Sequence, residues 1–277
     1  NKLRLDNPLQ EDQSHLRNSL IPGLIDVLSH NKSNQTGGVR FFENGRVFYS
    51  DDQGVTELFS LAFVCLVGTQ PKKWLERANF DFYNAKSILE NLYSLLDIDN
   101  QKKLEFMPLN NDSLWQDGHS AIAGNLLDNG YEFKIGLLNV KSLKERWGLV
   151  DQVYGGSMVI SLKSFNKKNK VKRYNPFSTN PSSKKDLSLI VEKQILVSEV
   201  IKELKEFCQE VTESFECEAI DVFDVYDGDG LGDNERSITV SMTFRAQDRT
   251  LKDKEVNSAF EKIQSLVENN TNYKIRK

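Results

Sequence analysis

The sequence predicts an α+β protein in two parts, and three observations carry that reading. Residues 186–277 alternate strand-like and helix-like patterns in the order strand–helix–strand–strand–helix–strand, a split βαβ or ferredoxin-like arrangement. Residues 1–165 read as a mixed α/β sheet domain of antiparallel character. Between them, residues 166–185 (NKKNKVKRYNPFSTNPSSKK) combine Asn, Ser and Lys with two prolines, Pro176 and Pro181. Such a composition can neither bury apolar surface nor hold a regular ladder, so it reads as a linker.

In the first part, Pro22 suits the opening turn of a helix carrying Leu24, Ile25 and Leu28. Val39–Phe42 and Arg46–Tyr49 are short strand-like pieces on either side of Asn44-Gly45, a turn signal. Leu58–Val67 is apolar enough for a buried central strand, Lys86–Leu96 has helical spacing, and Tyr131–Asn139 and Tyr154–Leu162 read as further strands. In the second part, Leu187, Leu189 and Val191 alternate along a strand at 186–192. Ser198 is a candidate cap for a helix with Val200, Ile201, Leu204, Phe207, Cys208 and Val211 on one side. A strand at 218–226 ends in the turn-rich Asp227–Glu235, and a third strand follows at 237–245. Thr250, with Asp253 three residues on, resembles a capping box before a helix with Val256, Ala259, Phe260, Ile263, Leu266 and Val267. A short strand, Tyr273–Arg276, comes last.

Composition excludes several classes. With 39% hydrophobic and 27% charged residues over 277 positions, the chain is folded rather than disordered. Leu58–Val67, its longest apolar stretch, is about half the ~20 residues that a membrane helix needs, and no basic-then-apolar leader is visible. Three cysteines, Cys65, Cys208 and Cys217, lie inside apolar patterns, which argues for a reducing, cytosolic compartment without a disulfide framework or four-ligand zinc site. His15, His30 and His119 have no second ligand beside them, so no metal is expected. The chain begins at Asn1 and its first methionine is Met107; it reads as a piece of something longer.

The net charge of −4 is unevenly spread. Between Asp151 and Asp186 there are no acids and eight cations, Lys163, Lys167, Lys168, Lys170, Lys172, Arg173, Lys184 and Lys185, which leaves −12 on the rest. A solvated loop is the plainer reading of such a run; contact with nucleic-acid phosphates is the sharper one.

No self-sufficient catalytic motif emerges. Asp227–Asp233 (DGDGLGD) fails as a calcium loop, because its fifth and twelfth positions are Leu231 and Ile238. Its glycines are not spaced for a dinucleotide, so it reads as a hairpin connection. His119 has neither an activated nucleophile nor an orienting acid marked near it. The third strand of the second part is more informative. Ile238, Val240, Met242 and Phe244 point one way, while Ser237, Thr239, Ser241, Thr243 and Arg245 point the other. Two helices cover one sheet face, so the hydroxyl face is open or covered by a partner. Asp224 and Tyr226 share a parity opposite to Phe223 and Val225 and are expected on that same face. Hydroxyls and an aromatic ring there suit unpaired bases, although an ordinary solvated face has the same composition.

Two segments together resemble the β subunit of bacterial phenylalanyl-tRNA synthetase, over nearly the whole chain. The first is Asn7-Pro8-Leu9, Leu16-Arg17-Asn18-Ser19-Leu20-Ile21-Pro22-Gly23-Leu24 and Glu43-Asn44-Gly45-Arg46-Val47-Phe48. The second is Asp186-Leu187-Ser188-Leu189, Phe223-Asp224-Val225-Tyr226, Thr243-Phe244-Arg245, Arg249-Thr250-Leu251 and Glu255-Val256-Asn257. Gly118-His119-Ser120-Ala121 stands where that family often has His-Pro-Gly, and Gly136–Lys141 where an acid-Leu-His-Pro string is common.

The resemblance implies that residues 1–165 form a degenerate class II synthetase-like core without chemistry, and 186–277 a ferredoxin-fold anticodon-binding domain. An active core needs an Arg-x-Glu pattern to hold ATP, but Tyr49-Ser50-Asp51 follows Gly45–Phe48, and the glycine-rich third motif is missing. Without those cations to offset developing phosphate charge, the chain is expected to bind no cofactor itself. ATP and magnesium would lie in the α subunit, the implied partner in a dimer of αβ heterodimers that charges tRNA(Phe). The resemblance places Asp224, Tyr226, Ser237, Tyr273 and Arg276 at the anticodon. Tyr226 or Tyr273 would stack on a splayed base, Asp224 and Ser237 would hydrogen-bond its edge, and Arg276 would take a phosphate or a base. Alternation puts Tyr273 and Arg276 on opposite strand faces. Lys167, Lys168, Lys170, Lys172, Arg173 and Arg245 are candidates for the tRNA backbone. Rival readings are an active class II ligase and a free-standing RNA-binding or regulatory module with a ferredoxin-like domain.

Overall fold

In the computed structural model, residues 3–8, 14–33, 40–51, 54–67, 80–96, 104–161, 178–212 and 214–276 are described. The chain divides into two compact units, Asn1–Val171 and Lys172–Lys277. Both are mixed α and β, and each contains one antiparallel sheet.

The first unit opens with α1 (Ile21–Ser33), then β1 (Arg40–Asp51), β2 (Gly54–Leu66), α2 (Phe82–Leu96), β3 (Met107–Pro108), β4 (Trp115–Asn125), β5 (Tyr131–Leu138), α3 (Val140–Trp147) and β6 (Val153–Ile160). Its sheet runs β1-β2-β6-β5-β4-β3. Two apolar clusters hold it together: one gathers Leu24, Ile25 and Leu28 of α1, Leu143 of α3 and Val47, Val64 and Val153 of the sheet. The other gathers Ala85, Leu89 and Tyr93 of α2 against Phe63, Phe133, Ile135 and Met158. Each fully buried large side chain contributes about 1.5–3 kcal/mol, so both clusters are substantial.

The Asn44-Gly45 turn is not formed, and this corrects the two-piece reading of residues 39–49. β1 runs through both residues in unbroken register with β2, Asn44 opposite Leu61 and Gly45 opposite Ser60. Gly45 serves packing instead. The Arg17 guanidinium lies so close above it that a Cβ would overlap Nη2, while Arg17 Nη1 donates to Glu43 at 2.6 Å and Nε to the Arg46 carbonyl at 3.0 Å. β4 and α3 have no counterpart in the sequence reading. The β4 register breaks between Trp115 and Ser120, which erases alternation. α3 buries only Leu143, but Asn139 caps it (Oδ1 accepting from Ser142 N at 3.0 Å) and Gly148 closes it with φ +66°.

The second unit comprises β7 (Ser183–Glu192), α4 (Val197–Val211), β8 (Glu216–Tyr226), β9 (Glu235–Arg245), α5 (Asp253–Asn270) and β10 (Lys274–Ile275), in the sheet order β10-β7-β9-β8. Lys184 and Lys185, grouped by composition with the linker, lie on β7 opposite Thr243 and Met242. The core joins Leu187, Leu189 and Val191, the buried face of β9, and Val200, Leu204, Cys208, Val256, Ile263 and Val267 of the helices. Both helix caps differ from expectation for one reason: a glutamate at the third helical position reaches back. Glu199 accepts from Leu196 N at 3.3 Å and Glu255 from Lys252 N at 3.0 Å, so α4 and α5 begin one residue before Ser198 and three after Thr250. The cysteines are free thiols. Among the described residues, no helix is long and apolar enough to cross a membrane.

Candidate nucleic-acid interface

The sheet face turned away from α4 and α5 carries a row of polar side chains in fixed register. One row runs Ile190, Ser237, Tyr226 across β7, β9 and β8; the next runs Ser188, Thr239, Asp224. Ser188 Oγ and Thr239 Oγ1 are 3.0 Å apart, and Arg276 N donates to the Ser188 carbonyl at 2.9 Å, which places Arg276 at the end of the second row. A third row holds Asp186, Ser241 and Asp221, with Ser241 Oγ donating to Asp186 at 2.7 Å.

Tyr226 and Arg276 belong to opposite edges of this sheet. Strands are about 4.8 Å apart, so three spacings, roughly 14 Å, separate the two backbones. Yet the Arg276 guanidinium carbon lies 5.4 Å from the centre of the Tyr226 ring. Both side chains must therefore lie down across the sheet, over β7 and β9. Their contact is a cation–π pair. Ser237, in the row between, is only 2% exposed, whereas Tyr226 retains 39%. The turn after β8 steadies the ring: Tyr226 Oη donates to the Asp229 carbonyl at 3.4 Å, and a Cβ on Gly228 would sit 2.9 Å from the ring's Cε2. Gly228 leaves room for this close approach.

Tyr273 lies elsewhere, which corrects its assignment as a stacking ring. It is 8% exposed, part of the core on the helix side of the sheet. Burial first, and then the Glu203 carboxylate beside it, push its hydroxyl pKa well above the ordinary tyrosine value. The folded state holds that proton more tightly than the unfolded chain, so the associated stability is full below about pH 10 and drains as pH rises further. Tyr273→Phe should flatten the loss of stability above about pH 10 in denaturant titrations run across pH. A wild-type-to-variant difference independent of pH would contradict this.

Arg245 is likewise already engaged. Its Nε donates to Glu218 at 2.8 Å and its Nη1 to the carbonyls of Asn180 at 2.6 Å and Ser178 at 3.3 Å; it ties the segment before β7 to the sheet rather than offering a cation to a phosphate. Lys167, Lys168, Lys170, Lys172 and Arg173 lie outside the described residues. Lys274 pairs with Glu235 at 2.7 Å, and that lysine first, then Gly232 N–H, holds the Glu235 carboxyl below its usual range.

Residues 1–124 match the family described as phenylalanyl tRNA synthetase beta chain CLM domain, and residues 178–276 match the ferredoxin-fold anticodon binding domain. The chain belongs to the phenylalanyl-tRNA synthetase β-chain family. Relatives named phenylalanine–tRNA ligase beta subunit include those of Carboxydothermus hydrogenoformans (30% identical, 98% of this chain and 32% of the relative) and Trichormus variabilis (30%, 95% and 32%). That of Legionella pneumophila (strain Lens) is 31% identical over 96% of this chain and 32% of its own length. The chain therefore spans about a third of the length of the curated relatives it matches.

Within this β-chain family member, the open face offers carboxylates, hydroxyls, one ring and one guanidinium, a set suited to reading base edges. Among the described residues, no three His, Cys, Asp or Glu side chains converge to hold a metal. In the first unit, Arg46 pairs with Glu57 at 3.2 Å, and Tyr49 Oη donates to the Asn18 carbonyl at 3.1 Å.

Proposed function

We propose that this chain supplies anticodon recognition and subunit contacts, not chemistry, to a phenylalanine–tRNA ligase. The observation that carries the reading is the Tyr226–Arg276 pair laid across an open sheet face, in a unit that matches an anticodon-binding family. Tyr226 stacks on an unpaired anticodon base, Asp224 accepts hydrogen bonds from a base edge, and Arg276 closes over the same base or its phosphate. Ser237 lies below the pair and acts when Arg276 swings aside. The first unit packs against an α subunit that holds ATP, magnesium and phenylalanine, in a cytosolic dimer of αβ heterodimers.

Asp186, Asp221 and Asp224 in the rows of the open face outnumber Lys184 and Arg276 on the same face, so contact is made mainly through bases, with at most one phosphate met at Arg276. Binding there should depend weakly on salt, since each neutralised phosphate steepens the dependence. The test is a titration of the full chain with the anticodon stem-loop of tRNA(Phe) and with a loop altered at the first anticodon base. Tyr226→Ala should lose about 1–3 kcal/mol of binding, the worth of one stacked base, without unfolding. Equal, steeply salt-dependent binding of both loops, unmoved by Tyr226→Ala, would sink the proposal and point to the lysine-rich segment.

A further inference from the structure

β8 is the free edge of the second sheet, and its ladder to β9 slips twice, between Cys217 and Ala219 and between Val222 and Asp224. The extra residue at the second slip is Phe223. Val222 is opposite Val240 and Asp224 is opposite Thr239, which leaves Phe223 without a cross-strand partner of its own. A bulge of this kind bends the strand and re-aims a side chain. The Phe223 ring is 61% exposed, at the sheet edge beside Asp224 and three residues before Tyr226.

Two features say what that ring meets. A doubly bulged edge cannot template an added protein strand, because its unpaired N–H and C=O groups are out of step. Asp221, Asp224, Asp227 and Asp229 surround it in sequence and repel phosphate, so a nucleic acid can approach only with its bases forward. A flat, uncharged ring among carboxylates can hold a base without hydrogen bonds, by stacking. Phe223 and Tyr226 are separated by roughly 10 Å of strand, close enough to serve neighbouring nucleotides of an unstacked loop.

We infer that Phe223 is a second stacking surface. The nucleotide adjoining the one at Tyr226 lays its base on the Phe223 ring, its phosphate turned away from the carboxylates. This rests on reading the open face as an RNA interface, and its test separates the two ideas. The full chain is titrated with the anticodon stem-loop carrying 2-aminopurine at one anticodon position at a time, whose fluorescence falls when it stacks.

Phe223→Leu should weaken binding about 5- to 150-fold and abolish quenching at one position. Tyr226→Ala should abolish it at another. Phe223→Trp, which keeps a ring, should bind like the wild type. Because the side chain is exposed, the variants should melt with the parent. Unchanged affinity and quenching in Phe223→Leu, with Tyr226→Ala still impaired, would overturn the role of Phe223 and leave the RNA face standing. Unchanged behaviour of both variants would overturn both. Equal loss in Leu and Trp would show that packing, not stacking, is at stake.

Discussion

Gly136→Ala should destabilise the first unit by at least about 3 kcal/mol, because the added methyl group meets both a disfavoured backbone conformation and filled space. Gly136 lies on β5 with φ +137°, a region essentially reserved for glycine. There is no room either: a Cβ would overlap the His119 carbonyl oxygen and lie 2.7 Å from Ser120 Cβ. These are neighbours on β4, so relief requires moving backbone where the single Ser120 hydroxyl proton is already shared between the Gln116 carbonyl at 2.8 Å and the Leu109 carbonyl at 3.2 Å. Denaturant unfolding and segment-resolved amide exchange should both register the loss, with β4 and β5 least protected. A loss below about 1 kcal/mol would show that the β4 irregularity between Trp115 and Ser120 yields easily, contrary to its hydrogen bonding.

Phe244→Ala should cost about 3–5 kcal/mol, the usual range for emptying a buried aromatic site. Phe244 is completely buried on β9 and meets Phe215 edge-on, with centroids 6.1 Å apart at 76°. Its neighbours Met242, Val240 and Leu187 belong to strands whose pairing keeps them in place, so the cavity cannot close cheaply. β9 carries Ser237 and Thr239 on its other face, so loss of this core should reach the proposed RNA face as well. Amide protection of β7, β8 and β9 should fall, and stem-loop affinity should fall with it at temperatures near the lowered midpoint. Full stem-loop affinity near that midpoint would contradict the linkage between core and face.

Much of the second unit was legible because its patterns are local. Residues 237–245 alternate without interruption, and Val200, Leu204 and Cys208 recur every four positions, so strand, helix and buried face follow from period alone. The first unit was less legible where a non-local contact overrode a local signal. Asn44-Gly45 is a turn by propensity, yet it runs straight because every residue from Arg40 to Asp51 pairs with β2 in one unbroken ladder, and Arg17, far back in the chain, packs above Gly45. α3 was missed although its cap and terminating glycine were present, since one buried leucine makes no stripe.

The interface shows the same division. Parity alone put Tyr273 and Arg276 on opposite faces, and the structure adds that Tyr273 faces the core and Arg276 the open side. The bulge at Phe223 was not legible: a single extra residue leaves the strand's composition unchanged while shifting its phase. By itself, the sequence determined the order of elements in the second unit, the apolar face of each and the family resemblance, because these depend on spacing along the chain. Only the tertiary structure decided that Tyr226 and Arg276 meet over Ser237, that Arg245 is spent within its own unit, and that Phe223 stands free. Those outcomes depend on which strands become neighbours and where their register slips, and both are settled by contacts between residues tens of positions apart.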